Sequence, residues 1–124
     1  MRAYRRHLLE LLSRSGWEVV SMEAESAWWT DGHWCVQSTR ENWGLTLWIN
    51  FLVDPQYEGT TKASAVWAVS ATVTRPSDRL EAGDGMVLAD LQRGRQKDKM
   101  SELVKAITQY RRGGQVEDDK PCPT

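Results

Sequence analysis

His33 and Cys35 are the one histidine–cysteine pair that lies close in this sequence. In an extended strand, residues i and i+2 project to the same side with Cα atoms about 6.6–7 Å apart, so an imidazole at one can reach a thiol at the other. A Cys–His nucleophile also needs a third group to orient the ring, and only Asp31 is at hand. The simpler reading is a turn histidine beside a small half-buried thiol. Glu23 and Glu25 form a second candidate, because two carboxylates on one strand face are the apparatus of a glycoside hydrolase. Pairing of Glu23 with Arg40 and of Glu25 with Ser38 across a hairpin accounts for them more simply. The sequence has no Gly-rich phosphate loop, no HExxH and no GxSxG. Cys35 and Cys122 make neither a disulfide framework nor a zinc set. The spacing of Asp118 and Lys120 falls in a tail expected to be disordered, where no metal could be held. Sequence therefore assigns no catalytic, cofactor-binding or metal-ligating residue.

Two other constellations concern contact rather than chemistry. Seven tryptophans, Trp17, Trp28, Trp29, Trp34, Trp43, Trp48 and Trp67, all lie between the two terminal helical patterns. Trp28 and Trp29 are consecutive, so on a strand they point to opposite faces. Trp48 shares its side with Thr46 and Asn50. Trp28, Trp29, Trp34 and Trp48 are the candidate contact surface, since aromatic groups on a polar sheet face bind proteins, sugars or bases. The charges are also uneven. Residues 1–14 carry a net +3, 15–92 a net −7, 93–112 a net +5 and 113–124 a net −2, within a chain whose net charge is −1. Arg93, Arg95, Lys97 and Lys99 are the densest basic cluster and the candidate polyanion patch. The competing explanation is charge complementarity between basic helices and an acidic sheet rim.

The elements that must position these residues follow from periodicity. Tyr4, Leu8, Leu11 and Leu12 form one apolar stripe of a helix over Arg2–Ser15, which Gly16 stops. Asp31-Gly32 between two β-like runs predicts a type I′ hairpin turn. That turn sets Trp29 opposite Trp34, Ala27 opposite Val36 and Glu23 opposite Arg40. Neither face of this hairpin is apolar throughout, so a bulge is expected partway along it. Leu45–Asp54 alternates, with Leu45, Leu47, Ile49, Phe51 and Val53 on one side and Thr46, Trp48, Asn50 and Asp54 on the other, and Ala63–Arg75 alternates likewise, with Ala65, Trp67, Val69, Ala71 and Val73 against Ser64, Ser70, Thr72 and Thr74. That pattern predicts an antiparallel sheet with one packed and one wetter face. Loops are expected over 55–62 and 76–85. Met86–Leu91 reads as a short fifth strand. A last helix is expected from Asp98, as N-cap, to Arg112, with Gly113-Gly114 as its stop.

These elements predict an α+β two-layer sandwich over residues 1–114. An antiparallel meander of four or five strands carries an N-terminal and a C-terminal helix on one face. Residues 115–124 are expected to form a disordered acidic tail. The element order is similar to that of type III secretion chaperones, a likeness of architecture carried by no residue motif. No apolar run is long enough for a membrane helix, and the N-terminus lacks the pattern of a signal peptide. A reducing cytoplasm is the expected location. The expected function is a non-enzymatic protein-interaction or chaperone-like module, most simply a homodimer. The alternatives are a nucleic-acid-binding module using the basic helices and a small enzyme at His33–Cys35 or Glu23–Glu25.

Overall fold

The computed structural model describes residues 2–24, 29–39, 45–53, 66–75 and 87–119, without the side chains of 111–119. Along the chain come α1 (Ala3–Arg14), β1 (Trp17–Glu23), β2 (Thr30–Ser38), β3 (Thr46–Val53), β4 (Val66–Thr72), β5 (Val87–Asp90) and α2 (Gln96–Asp119). Each strand pairs antiparallel with the next, so the sheet order is β1-β2-β3-β4-β5 and β1 and β5 are its edges. The two helices form the second layer, and this is the α+β sandwich that the periodicity predicts.

The helix-covered core collects the apolar positions of every element. Tyr4, Leu8 and Leu12 of α1 meet Trp34 and Val36 of β2, Leu47, Ile49 and Phe51 of β3, and Val69 and Ala71 of β4. Met100, Leu103, Val104 and Ile107 of α2 complete the cluster. Full burial of a side chain of this size is worth about 1.5–3 kcal/mol, which is what holds the layers together. Leu11, at the margin of the α1 stripe, packs against the cluster but is only partly buried. Gly16 ends α1 with φ 83°, a conformation in which a Cβ would be strained. Its carbonyl accepts the Thr39 N–H at 2.8 Å and so ties the helix exit to the end of β2.

The predicted turn at Asp31-Gly32 is not a turn. Both residues lie inside β2, and the register differs from the expected one throughout the β1–β2 pair. Trp34 faces Met22 rather than Trp29, Val36 faces Val19 rather than Ala27, and Glu23 faces His33 rather than Arg40. Tertiary contacts outweigh the local turn preference. The β2–β3 register shifts between Thr30 and Gly32, so Asp31 is the extra residue of a bulge, and its carboxylate accepts from Arg5 Nη2 at 2.7 Å. Gly32 has φ 149°, and a Cβ there would lie 2.6 Å from the Glu23 carbonyl oxygen. Glycine is thus required at this position for a close strand approach. The bulge expected from the mixed faces sits at Val20, where the β1–β2 register shifts between Val19 and Ser21. A third irregularity, between Leu52 and Val53 on β3, leaves Trp67 without an opposite number, and its carbonyl accepts the Leu91 N–H at 2.9 Å.

Met86–Leu91 contains the expected fifth strand, Val87–Asp90. At the last helix the boundaries move. α2 starts at Gln96, so Asp98 lies in the first turn rather than at the N-cap. The helix also continues through Gly113-Gly114 to Asp119. A glycine inside a helix costs about 1 kcal/mol against alanine but stops the helix only where it turns left-handed. Trp28, Glu25, Arg40, Trp43, Lys120 and Cys122 lie outside the described residues, as do the loops expected over 55–62 and 76–85.

Candidate functional site

The strands bring polar side chains together on the sheet face opposite the helices. The antiparallel registers place Glu23, His33, Asn50 and Ser70 in one row across β1 to β4, and Ser21, Cys35, Trp48 and Thr72 in the next. Asn50 is the hub. His33 Nδ1 lies 2.6 Å from Asn50 Oδ1, and Asn50 Nδ2 donates to Ser70 Oγ and Thr72 Oγ1, each at 3.1 Å. An amide oxygen only accepts, so the imidazole carries its proton on Nδ1 in this bond. Thr72 Oγ1 donates in turn to the Thr74 carbonyl at 2.7 Å. Two indoles flank the ring edge-on, Trp29 at 5.7 Å and Trp48 at 6.4 Å between centroids. Just beyond β4, the Arg75 side chain reaches this face. The Arg75 guanidinium lies 6.0 Å from the Trp48 ring centroid, and its Nε donates to Glu23 Oε1 at 3.0 Å.

This face is polar but dry. His33, Asn50 and Ser70 have zero exposure and Thr72 only 6 %. The alternation of β3 and β4 predicts the polarity of this face and mistakes it for wetness. Sequence reasoning overlooked Asn50, Ser70 and Thr72 as a group. The available signal was Asn50 itself, a single amide inside the apolar run Leu47–Val53, where an unpaired polar group would cost about 1–3 kcal/mol. Such a residue announces buried partners on neighbouring strands.

The arrangement gives the nucleophile reading no support. The His33 Nδ1–H is committed to Asn50. Burial pushes the Cys35 thiol above its ordinary pKa, and the negative charge of Glu23 pushes it the same way. A reactive cysteine needs the opposite shift, toward thiolate. Glu23 is engaged with Arg75, and Glu25, its candidate partner, lies outside the described residues. No group of three or more His, Cys, Asp or Glu able to hold a metal occurs among the described residues.

The candidate contact tryptophans are divided between the two faces. Trp34 is 4 % exposed, in the helix-covered core, with its ring edge-on to Phe51 at 4.9 Å. Trp29 is buried on the other face with Leu52 and Ala68, and Trp67 packs beside them. Trp48 is half-buried under Arg75. Apolar exposure is found instead at Val20 and Met22 on β1, Val73 after β4, Leu88 on β5 and Tyr110 on α2.

Arg93, Arg95 and Lys97 are exposed around the start of α2, while Lys99 is half-buried. Arg93 stands 4.0 Å from Asp90, and Lys99 3.8 Å from Glu102. Cations at a helix N-terminus meet the positive end of its dipole, an unfavourable placement that Asp98 offsets only in part. Separately, a groove of about 470 Å³ opens between α1 and β1, lined by Leu9, Ser13, Trp17, Glu18, Val19 and Thr39. No described helix is long and apolar enough to cross a membrane. No family model, curated protein or solved structure matches the chain.

Proposed function

We propose that this chain is a non-enzymatic protein-interaction module of a chaperone-like kind, and that it self-associates. The observation that carries the reading is where apolar area remains exposed. Val20 and Met22 on edge strand β1 are 45 % and 49 % exposed, and Leu88 on edge strand β5 is 53 % exposed. Side chains left half open at sheet edges gain about 1 kcal/mol each when a partner covers them. Trp29 and Trp34 are buried within their own chain, and the reading is carried by these edge-strand side chains rather than by those two tryptophans. The test is the mass of the full chain by light scattering across a concentration series. A dimer is expected, returned to monomer by Val20→Lys combined with Met22→Lys while the circular dichroism spectrum is retained. A parent that stays monomeric throughout the series overturns the reading.

A second reading rests on the basic cluster. Arg93, Arg95 and Lys97 stand exposed against the dipole of α2, an arrangement that a polyanion would relieve. Binding to duplex DNA would then fall steeply with salt, with a slope near −0.9 for each phosphate neutralised. Equal retention of parent and a triple Arg93→Ala, Arg95→Ala, Lys97→Ala variant on DNA would dismiss it.

A further inference from the structure

The two edges of the sheet differ. β1 is interrupted by its bulge, whereas β5 pairs with β4 from Ala71↔Val87 to Ala68↔Asp90 without a register shift. Facing residues of an antiparallel pair alternate between hydrogen-bonded and non-hydrogen-bonded pairs. One bond sets the phase on β5: the Leu91 N–H donates to the Trp67 carbonyl at 2.9 Å. Trp67 and Leu91 continue the β4–β5 register, so Ala89 and Val87 also turn their N–H and C=O groups inward to β4. Leu88 and Asp90 turn theirs outward, and no hydrogen bond among the described residues reaches those groups. The side chains agree with an open edge. Leu88 extends the row of His33, Asn50 and Ser70, which have zero exposure, yet is itself 53 % exposed. Asp90 is turned to its own chain, accepting the Gln92 N–H at 2.8 Å and standing 4.0 Å from Arg93. Just past the strand, Arg93, Arg95 and Lys97 are exposed, and the last two make no ion pair among the described residues. The C-terminal end of the β5 edge is therefore positive.

We infer that β5 takes an added antiparallel strand from a partner protein, an extended segment with an acidic run ahead of an apolar stretch. Main-chain bonds to Leu88 and Asp90 hold the segment, as in other cases of strand addition to a sheet edge. An apolar side chain covers Leu88. Antiparallel pairing, the more stable ladder per residue, brings the N-terminal acidic run to Arg93, Arg95 and Lys97. A nucleic acid would meet the cations alone, whereas outward N–H and C=O groups at strand spacing select a polypeptide. The inference rests on the reading of the chain as a protein-interaction module and adds a partner at the edge opposite Val20 and Met22.

The full chain is titrated by calorimetry with two blocked peptides, EEETVLVT and KKKTVLVT, and its amide hydrogen exchange is followed by NMR. The glutamate peptide is expected to bind about tenfold more tightly, the equivalent of 1.4 kcal/mol. It should slow exchange at the Leu88 and Asp90 amides by about tenfold or more, and at Ala89, already bonded to β4, by less. Arg93→Glu combined with Arg95→Glu should reverse the preference, whereas Lys105→Glu, exposed further along α2, should leave it unchanged. These variants alter exposed side chains, and their folding is checked by circular dichroism. Equal binding of the two peptides, binding of neither, or retention on duplex DNA without glutamate-peptide binding overturns the inference. A preference for glutamate without slowed exchange at Leu88 and Asp90 is charge attraction alone and overturns it too. A chain that dimerises by light scattering yet binds neither peptide fails at this edge alone and leaves the self-association reading standing. A monomer that binds the glutamate peptide with both amides protected does the reverse.

Discussion

Replacing Asn50 by alanine should be among the costliest substitutions in this protein. The side chain accepts from His33 Nδ1 at 2.6 Å and donates to Ser70 Oγ and Thr72 Oγ1 at 3.1 Å, all in a region without solvent access. Each bond contributes about 0.5–1.5 kcal/mol net, and a buried donor stripped of its acceptor adds about 1–3 kcal/mol. The Ser70 and Thr72 hydroxyls can rotate toward other acceptors, whereas the His33 N–H is fixed in the ring plane. The expected loss is therefore about 3–5 kcal/mol, at the upper end for single substitutions. At roughly 4 °C per kcal/mol for a domain of this size, the melting temperature should fall by about 12–20 °C. Ser70→Ala removes one bond and should cost about 1 kcal/mol. Urea unfolding followed by circular dichroism measures both, and the double variant closes the cycle. A coupling of about 0.5–3 kcal/mol between Asn50 and Ser70 is expected, because they share one network. If Asn50→Ala costs no more than Ser70→Ala, or if the two effects simply add, Asn50 is not the hub and the dry-face account fails.

Gly32→Ala should destabilise by well over 1 kcal/mol, since the new Cβ would lie 2.6 Å from the Glu23 carbonyl oxygen at a φ of 149°; an unchanged melting curve would contradict the bulge geometry. Arg5→Ala should cost about 2–3 kcal/mol with little salt dependence, because Arg5 pairs with Asp31 at side-chain exposures of 13 % and 19 % and lies 4.1 Å from the Phe51 ring centroid. Arg75→Ala, at an ion pair exposed by 39 % and 41 %, should cost under about 1 kcal/mol and lose most of that in high salt; similar salt responses for the two arginines would count against the contrast. Cys35 has a raised pKa in the fold, so its contribution to stability is full below the ordinary thiol pKa and is lost as pH rises through the folded value. Cys35→Ala should flatten the alkaline limb of stability against pH, and an unaltered limb would show that folding leaves the thiol pKa unchanged.

The sequence by itself determined the elements and their layers. The spacing of Tyr4, Leu8 and Leu12 and the alternation of Leu47, Ile49 and Phe51 each describe one face of one segment. Burying those faces against one another leaves few arrangements for helix, meander, helix. Such signals are legible because each is contained in a window of about a dozen residues. Only the tertiary structure decided the rest. Asp31-Gly32 has the local chemistry of a turn, yet pairing with β3 and the reach of Arg5 from α1 make it a bulge inside β2. Residues 26 positions apart in the chain settle that conformation, so no local window contains it. The polar face is a case of the same kind. A strand's alternation tells which side chains share a face and is silent on whether water reaches them. Asn50, Ser70 and Thr72 come from two strands, and only the register that sets them in rows beside His33 lets them satisfy one another without solvent.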